Sequence, residues 1–565
     1  MSWLFLVFRP RAVRAAVFLL TVSAFAQPPL IFNRGIFNAA SFMPAGIPAG
    51  AIARGSIFSV FGARLGPSQP FSANSFPLGN TLNGVALNVI QGSTTVSAIP
   101  LYVSASQINA IMPSNAPLGA ASIQVVVNGS AGNLHPVQIA SSDFGVFTAV
   151  GIGIGPGILQ NFIAADNQPI NSPTITATYG QAITLWGTGL GPVTGGDNVA
   201  PKAGNLPVQT EVFVGGVSAP LLYSGRTPCC AGVDQIVFTV PASAPSGCWV
   251  PVYVRTGGTT VSNVVTMAIQ PSGGACTTDI LPQITSAVVK GGTFGLAIVV
   301  RGTTRHDVGT LAPVDATADY HASFAFSAKP GPFPFNPAIA FPPSGTCTAY
   351  TLQGDILNGD PLPGQLPPVP PLDMGAALVL TGPRGTTTLN STFLGLLDAK
   401  VGFLGGSISN NILPSSLILD PGSYTIAGTG GMDVGPFSTS FSIPQPLVWT
   451  NRNQLTLINR AQPLTLSWSG GDSGQVVVIV GYGEDLPTNS SAAFACIAPP
   501  GATSFTVPPA IMSNIPPGRP NPLQSNAVLY VGVMAGSSVQ KINAKGLDQG
   551  LTESYYINGK TVVFQ

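Results

Sequence analysis

The sequence predicts an all-β protein of tandem β-sandwich domains, and three observations carry that expectation. An internal repeat spans the first half of the chain, short apolar strands recur throughout, and Gly and Pro punctuate them about every ten residues. The 565 residues include 67 Gly and 54 Pro, about a fifth of the chain and just under the level at which aperiodic low complexity becomes the default reading. A chain of this length holds about three to five domains.

The repeat is legible residue by residue. Gly55-Ser-Ile-Phe-Ser-Val-Phe-Gly62-Ala-Arg-Leu65-Gly66-Pro67 aligns without gaps with Gly180-Gln-Ala-Ile-Thr-Leu-Trp-Gly187-Thr-Gly-Leu190-Gly191-Pro192, at an offset of 125. Gln107-Ile108-Asn-Ala-Ile-Met112-Pro113 through Ala116-Pro117-Leu-Gly119 aligns with Gln235-Ile236-Val-Phe-Thr-Val240-Pro241 through Ala244-Pro245-Ser-Gly247, at 128. Two motifs in one order at nearly one separation define two copies. The first motif is a strand with two different faces, ended by the turn residues Leu-Gly-Pro. The second is an apolar strand stopped by a proline, which has no N–H for a ladder. Ile123-Gln-Val-Val-Val127 returns as another strand before Asn128-Gly129, a strong hairpin signal. The expected architecture is immunoglobulin-like, with one copy over 27–145 and the next over 146–278.

Gly180 to Pro192, the Val-Gly-Gly at 214–216, Ala219-Pro-Leu-Leu-Tyr223, Asp234 to Pro241 and Ser262-Asn263-Val264-Val265-Thr266 resemble an uncharacterised secreted repeat family abundant in Acidobacteria, itself similar to IPT/TIG immunoglobulin-like domains. Ile36-Phe-Asn-Ala-Ala-Ser41 is similar to that family's usual opening. The resemblance covers about residues 33–275. It implies fold and export. The family has no established activity, so no catalytic residue carries over, and the implied role is binding or spacing.

Residues 279–445 hold no third copy of either motif. They read as a β-rich domain with strands at Ser286-Ala-Val-Val, Leu296-Ala-Ile-Val-Val-Arg301, Ala377-Leu-Val-Leu-Thr381 and Ser423-Tyr-Thr-Ile-Ala427. Pro361 to Pro371 is too rich in proline for a sheet interior and reads as an extended loop. Pro444 and Pro446 mark a linker. Beyond it Leu464-Thr-Leu-Ser-Trp468, Gln475-Val-Val-Val-Ile-Val480 and Ala527-Val-Leu-Tyr-Val-Gly-Val533 predict a C-terminal sandwich over 446–565, read as separate, with a single domain over 279–565 as the alternative. Residues 340–376 and 497–525 read as long loops. No stretch of ordinary helix length shows a helical period.

Residues 1–26 read as a secretory signal peptide. Arg9, Arg11 and Arg14 precede the apolar run Ala15 to Val22, and Ala24-Phe25-Ala26 forms an A-x-A cleavage site before Gln27. That run is shorter than the about 20 residues a membrane span needs. The mature chain is therefore expected to be secreted or held at the cell surface, with no integral membrane span. The heavy proline load argues against an outer-membrane barrel. Asp, Glu, Lys and Arg make up only 7%, against roughly 25% in an ordinary soluble domain. Twenty-one basic and twenty acidic residues leave no field for a phosphate backbone, so nucleic acid is not an expected partner.

Six cysteines in an exported chain are expected to be oxidised. Between its Tyr223 and Gln235 the second copy has seven residues more than the first, among them the vicinal Cys229 and Cys230, and Cys248 stands where the first copy has Ala120. The expectation is that Cys229 and Cys230 pair with Cys248 and Cys276, in an order left open, and that Cys347 pairs with Cys496. Adjacent thiols do not offer the spacing of a zinc site.

Candidate chemistry is sparse. Gly471-Asp472-Ser473-Gly474 copies the surroundings of a trypsin-like nucleophile, but a triad also needs a histidine, and His135, His306 and His321 stand in unrelated contexts. A hairpin turn between the Trp468 and Val476 strands is the expected role. His306-Asp307, Asp315 and Asp319-Tyr-His321 form the densest ionisable cluster. Asp319 and His321 would share a strand face, as a metal pair does; polar residues on a solvated edge are the plainer reading. Glu211, Glu484 and Glu553 are too scattered for a glycosidase pair. No phosphate-binding Gly-Lys-Ser/Thr loop and no His-Glu-x-x-His occurs, so no catalytic, cofactor or metal site is expected. Trp186, Trp249, Trp449 and Trp468 read as core. The expected function is non-enzymatic: a surface adhesion or scaffold protein, or a module binding a protein or polysaccharide at the cell surface. The alternative is a secreted hydrolase with its site in 279–445.

Overall fold

The structure, a computed structural model, describes residues 27–47, 49–279, 282–307, 313–327, 335, 340–353, 372–390, 417–471, 474–485, 490–518, 527–535 and 539–565. The expected signal peptide and the proline-rich stretch 361–371 lie outside them.

The two aligned motifs become neighbouring strands in both copies. In the first, Ile57–Ala63 runs antiparallel to Gln107–Ile111 with Phe61 opposite Gln107. In the second, Ala182–Thr188 runs antiparallel to Asp234–Thr239 with Trp186 opposite Gln235. These are the residues that the two sequence offsets equate, so the repeat holds down to register. In the first copy one strand, Thr94–Val103, serves both layers: Thr94 to Ala98 pair with Val85–Gln91, and Ile99 to Val103 pair with Gln107–Ile111. In the second copy Pro220 cuts that strand. Val217–Ala219 then pairs in one sheet and Leu221–Arg226 in the other. Both copies carry a proline, which has no N–H for the ladder, where the chain changes sheets: Pro100 within the continuous strand of the first and Pro220 at the break in the second. Alternating inward residues fill each sandwich: Val60, Leu87, Ile108 and Ile123 in the first, Ile183, Val212, Ile236 and Val252 in the second, all fully buried. Each such side chain contributes about 1.5–3 kcal/mol.

The copies are locked together. The buried Asn38 side chain donates to the carbonyls of Asp143 (3.2 Å) and Thr188 (3.4 Å), and Ser114 meets Asp197 through both its amide and its hydroxyl at 2.7 Å. The seven-residue insertion of the second copy belongs to this contact, for its Ala231 packs on the Leu78, Ile99 and Ile111 cluster of the first.

That placement corrects the expected pairing of Cys229 and Cys230 with Cys248 and Cys276, while the expected Cys347–Cys496 bond is present. Cys229 is bonded to its neighbour Cys230, Cys248 to Cys276, and Cys347 to Cys496. The inserted loop faces the first copy, whereas Cys248 and Cys276 pack with Trp249, Phe335 and Ala340 toward the C-terminal half. Cys229 and Cys230 therefore do not reach them.

The expected boundary near residue 445 is also corrected. An eight-stranded sheet takes Val314–Ser327, Thr293–His306 and Cys347–Gln353 from one side of it, and Gln475–Asp485, Ser490–Ile497, Ala527–Ala535, Gln540–Lys541 and Gln549–Thr561 from the other. The parallel pairing of Thr293–His306 with Gln549–Thr561 joins the two stretches, and Cys347 faces Cys496 on adjacent strands. Two smaller sheets pack on one face of it. The first is four-stranded, running from Ala377–Gly382 to Phe437–Ile443, and buries Leu380, Tyr424 and Phe441 against Ala297 and Val299. The second is formed by Leu447–Trp449, Leu464–Gly470 and Ser504–Val507, and buries Trp449, Leu466 and Trp468 against Ile479, Phe494 and Val531.

Three local expectations change as well. Ser286-Ala-Val-Val lies in a helix, Pro282–Lys290, with proline in its first turn and Gly291 and Gly292 just beyond its end. The stretches read as long loops contain the strands Cys347–Gln353 and Ser504–Val507 and the short helix Pro509–Met512. Leu464–Gly470 and Gln475–Asp485 belong to different sheets, so the chain between them crosses layers and closes no hairpin.

Candidate functional site

Strand alternation assembles the site. Along Thr293–His306 the residues Arg301, Thr303 and Arg305 share one face, and the antiparallel register sets Asp319, Thr317 and Asp315 opposite them. Two Arg–Asp pairs thus flank a Thr–Thr pair whose hydroxyls lie 3.0 Å apart. The strand rise separates the two arginines by about 13 Å.

Arg301 is bidentate to Asp319 at 2.7 and 3.0 Å and donates to Asp420 at 2.8 Å. Asp319 also accepts the amides of Ile418 (2.5 Å) and Leu419 (2.8 Å). Arg384 donates to the second oxygen of Asp420. Hydrogen bonds from Arg301 and Arg384 hold the Asp420 carboxyl below the usual carboxylate range, and the bonds to Asp319 raise the Arg301 guanidinium above its ordinary value. At the far end Asp315 bridges Arg452 (2.9 Å) and Arg305 (3.8 Å). Buried Lys560 meets Asp307 at 2.9 Å and the Asn453 carbonyl at 3.2 Å. His306 is half-buried beside this end; desolvation lowers its pKa against the opposing pull of Asp315 and Asp307.

The pairs edge a cavity of about 680 Å³ between the two small sheets, within the range of about 300–1,000 Å³ typical of ligand sites. Arg301, Thr303, Tyr556 and Asn558 form its floor on the large sheet, Pro421 lines one side, and Leu447 to Thr450 with Arg452 and Asn453 line the other. The floor is tied to both sides. Tyr556 donates to the Leu419 carbonyl at 2.7 Å, and burial pushes its phenol up to about 12. Asn558 donates to the Leu447 carbonyl at 3.1 Å.

Of the ionisable residues singled out in the sequence, Asp307, Asp315 and Asp319 meet in this network, and His306 stands at its edge. Asp319 and His321 do share a strand face. The Asp319 carboxylate, however, accepts four hydrogen bonds, one on Oδ1 and three on Oδ2, which commit it to Arg301 and to the Ile418 and Leu419 amides. Among the described residues no three metal-binding side chains converge. His135 lies on Ser130–Ala140 of the first copy, and Asp472 and Ser473 fall outside the described residues. The glutamates are far apart in the fold: Glu211 pairs with Arg255 at 2.8 Å in the second copy, Glu484 lies on Gln475–Asp485, and Glu553 is buried on the opposite face of the large sheet. There the Tyr555 hydroxyl donates to Glu553 at 2.6 Å, and burial pushes its carboxyl up to about 7. Trp249, Trp449 and Trp468 are buried, and half-buried Trp186 donates to Gln160 at 2.8 Å.

Sequence reasoning fixed on the acids and histidines and passed over Arg301, Arg305, Arg384, Arg452 and Lys560. One signal was present. Arg301 and Arg305, followed by Asp315 and Asp319, give two charges of one sign at i and i+4 on each arm of a hairpin, which brings opposite charges face to face across the strands.

The chain matches no protein-family profile and no curated protein. Solved structures share partial likenesses with it. The full extracellular region of plexin A4 is 13% identical over 45% of this chain and 19% of that one, with a TM-score of 0.16. The SGBP-B protein of the Bacteroides ovatus mixed-linkage glucan utilization locus, in complex with a mixed-linkage heptasaccharide, is 13% identical over 48% of this chain and 63% of that one, at 0.19. SGBP-B from a complex xyloglucan utilization locus of Bacteroides uniformis is 10% identical over 86% and 88%, at 0.15. The chain spans less than two thirds of the length of the first two of these. The assignment of an all-β protein with tandem sandwich domains rests on the sheets themselves.

Proposed function

We propose that the chain is an exported, non-enzymatic binding protein of the cell surface, in which two immunoglobulin-like copies carry and space a larger C-terminal sandwich that holds a glycan ligand. The observation that carries this reading is the cavity between the two small sheets, in which Arg301, Thr303, Arg452, Tyr556 and Asn558 are each held by a protein partner before any ligand arrives. Such preorganisation favours affinity. Export is supported by the basic and apolar pattern of residues 1–26 and by three disulfides, which persist in oxidising compartments. The resemblance of residues 33–275 to the secreted IPT/TIG-like repeats belongs to the same reading.

The test is binding of the full chain, purified after export into an oxidising compartment, to an array of polysaccharides and cell-wall fractions, with released products assayed on the same samples. Saturable binding without product supports the proposal. Product release would send the assignment to the hydrolase alternative.

A further inference from the structure

We infer that the cavity takes an anionic glycan, a segment of polysaccharide whose carboxylate or sulfate groups sit on Arg301 and Arg452; this rests on the binding function proposed above. Arg301 and Arg452 are the charged residues among those lining the cavity, and both are basic. The acids that hold them, Asp319, Asp420 and Asp315, are not among the lining residues. The network as a whole sets Arg301, Arg305, Arg384, Arg452 and Lys560 against Asp307, Asp315, Asp319 and Asp420. Of that network, Arg301 and Arg452 alone line the cavity.

The donors suit an oxyanion. A guanidinium has five N–H groups; Arg301 commits three to Asp319 and Asp420, and Arg452 reaches Asp315 through one nitrogen. Each keeps N–H groups beyond those bonds, and the carboxylates hold both guanidiniums in place, the arrangement that makes arginine a strong binder of carboxylate and sulfate. Arg452 is anchored at the level of Arg305, so the two basic ends are about 13 Å apart by the strand rise, longer than one sugar ring. Between them lie Thr303, Asn453 and Asn558, neutral hydrogen-bonding groups suited to sugar hydroxyls. The ligand that fits is a short run of sugars with acidic groups at intervals along it.

The experiment measures affinity of the full chain for polygalacturonate, dextran sulfate and neutral dextran, with variants at Arg452 and Val448. Val448 lines the cavity and is 62% exposed, so its substitution leaves the core intact. Arg452→Gln should weaken acidic-glycan binding about tenfold or more, the size of a charge-assisted hydrogen bond. Val448→Glu should weaken it and Val448→Lys strengthen it, a sign reversal that a steric effect does not give. Polygalacturonate binding assigns the carboxylate, and dextran sulfate binding the sulfate. Equal binding of neutral dextran, indifferent to Arg452→Gln and to the Val448 pair, would overturn this inference and leave the binding function standing. Binding of none of the three polymers by a chain that does bind other glycans would also overturn it, and binding of no glycan at all would overturn both.

Discussion

Glu553→Gln should stabilise the large C-terminal sheet in alkaline solution and leave it nearly unchanged in acid. Glu553 is 3% exposed on Gln549–Thr561, and its Oε1 has no hydrogen-bond partner among the described residues. Burial raises its carboxyl from the ordinary 4.5 to about 7, against a smaller lowering by the Tyr555 hydroxyl. The folded state therefore binds this proton more tightly than the unfolded state does. The sheet is favoured while the group is protonated, and stability falls as pH rises from about 4.5 to about 7, then levels off. At about 1.4 kcal/mol per pH unit, the loss is on the order of 3 kcal/mol. Glutamine has the shape of the protonated acid and no charge to desolvate. Urea unfolding read by hydrogen exchange in Gln549–Thr561 reports this sheet, and the difference between variant and parent should grow by about 3 kcal/mol from pH 4 to pH 8.5. A difference that stays flat across that range, or a variant less stable than its parent at pH 8.5, would refute the reasoning.

Three other perturbations follow from the packing. Arg226 and Asp234 form a buried pair at 2.9 Å, and burial lifts the Asp234 carboxyl to about 6 despite Arg226; Arg226→Met should cost about 3–5 kcal/mol at pH 8, and less at pH 5, where Asp234 takes up a proton, as thermal unfolding at the two pH values will show. Ala231→Asp should loosen the inserted loop from the Leu78, Ile99 and Ile111 cluster and raise protease sensitivity between the two copies while each keeps its own exchange-protected core; unchanged proteolysis would count against the docking role. Trp468→Ala, which empties a buried site between the three-stranded sheet and Ile479 and Phe494, should lower stability by about 3–5 kcal/mol in urea unfolding.

What was legible in the sequence, and what was not, follows from the range of the interactions. The repeat could be read because its signals are local: Phe61 and Trp186 sit in strands bounded by their own glycines, and Pro113 and Pro241 end the partner strands. The same reading extended to the buried tryptophans, which sit in short apolar runs. The C-terminal sheet was hidden because its order depends on pairing Thr293–His306 with Gln549–Thr561 in parallel, across some 250 residues that no local pattern connects. A proline linker near 445 looked like a domain boundary for the same reason, when the chain there only passes from one small sheet to the next. Cys347 pairs with Cys496 as expected, whereas Cys229 and Cys230 do not pair with Cys248 and Cys276 because the inserted loop docks through Ala231 on the neighbouring copy. The site was half visible. Its acids drew attention as a dense cluster, while the arginines that neutralise them lie on a partner strand and on a segment far along the chain.

The measurement that bears most directly on the central account is glycan binding by the full chain beside its Thr303→Trp variant. Thr303 lies on the cavity floor between the two arginine pairs, and an indole there fills the space while every ion pair stays in place. Saturable binding is predicted for the parent chain, with at least a tenfold loss in the variant and a cooperative unfolding transition for both. Undiminished binding by a folded Thr303→Trp chain would contradict it and place the ligand elsewhere on the molecule.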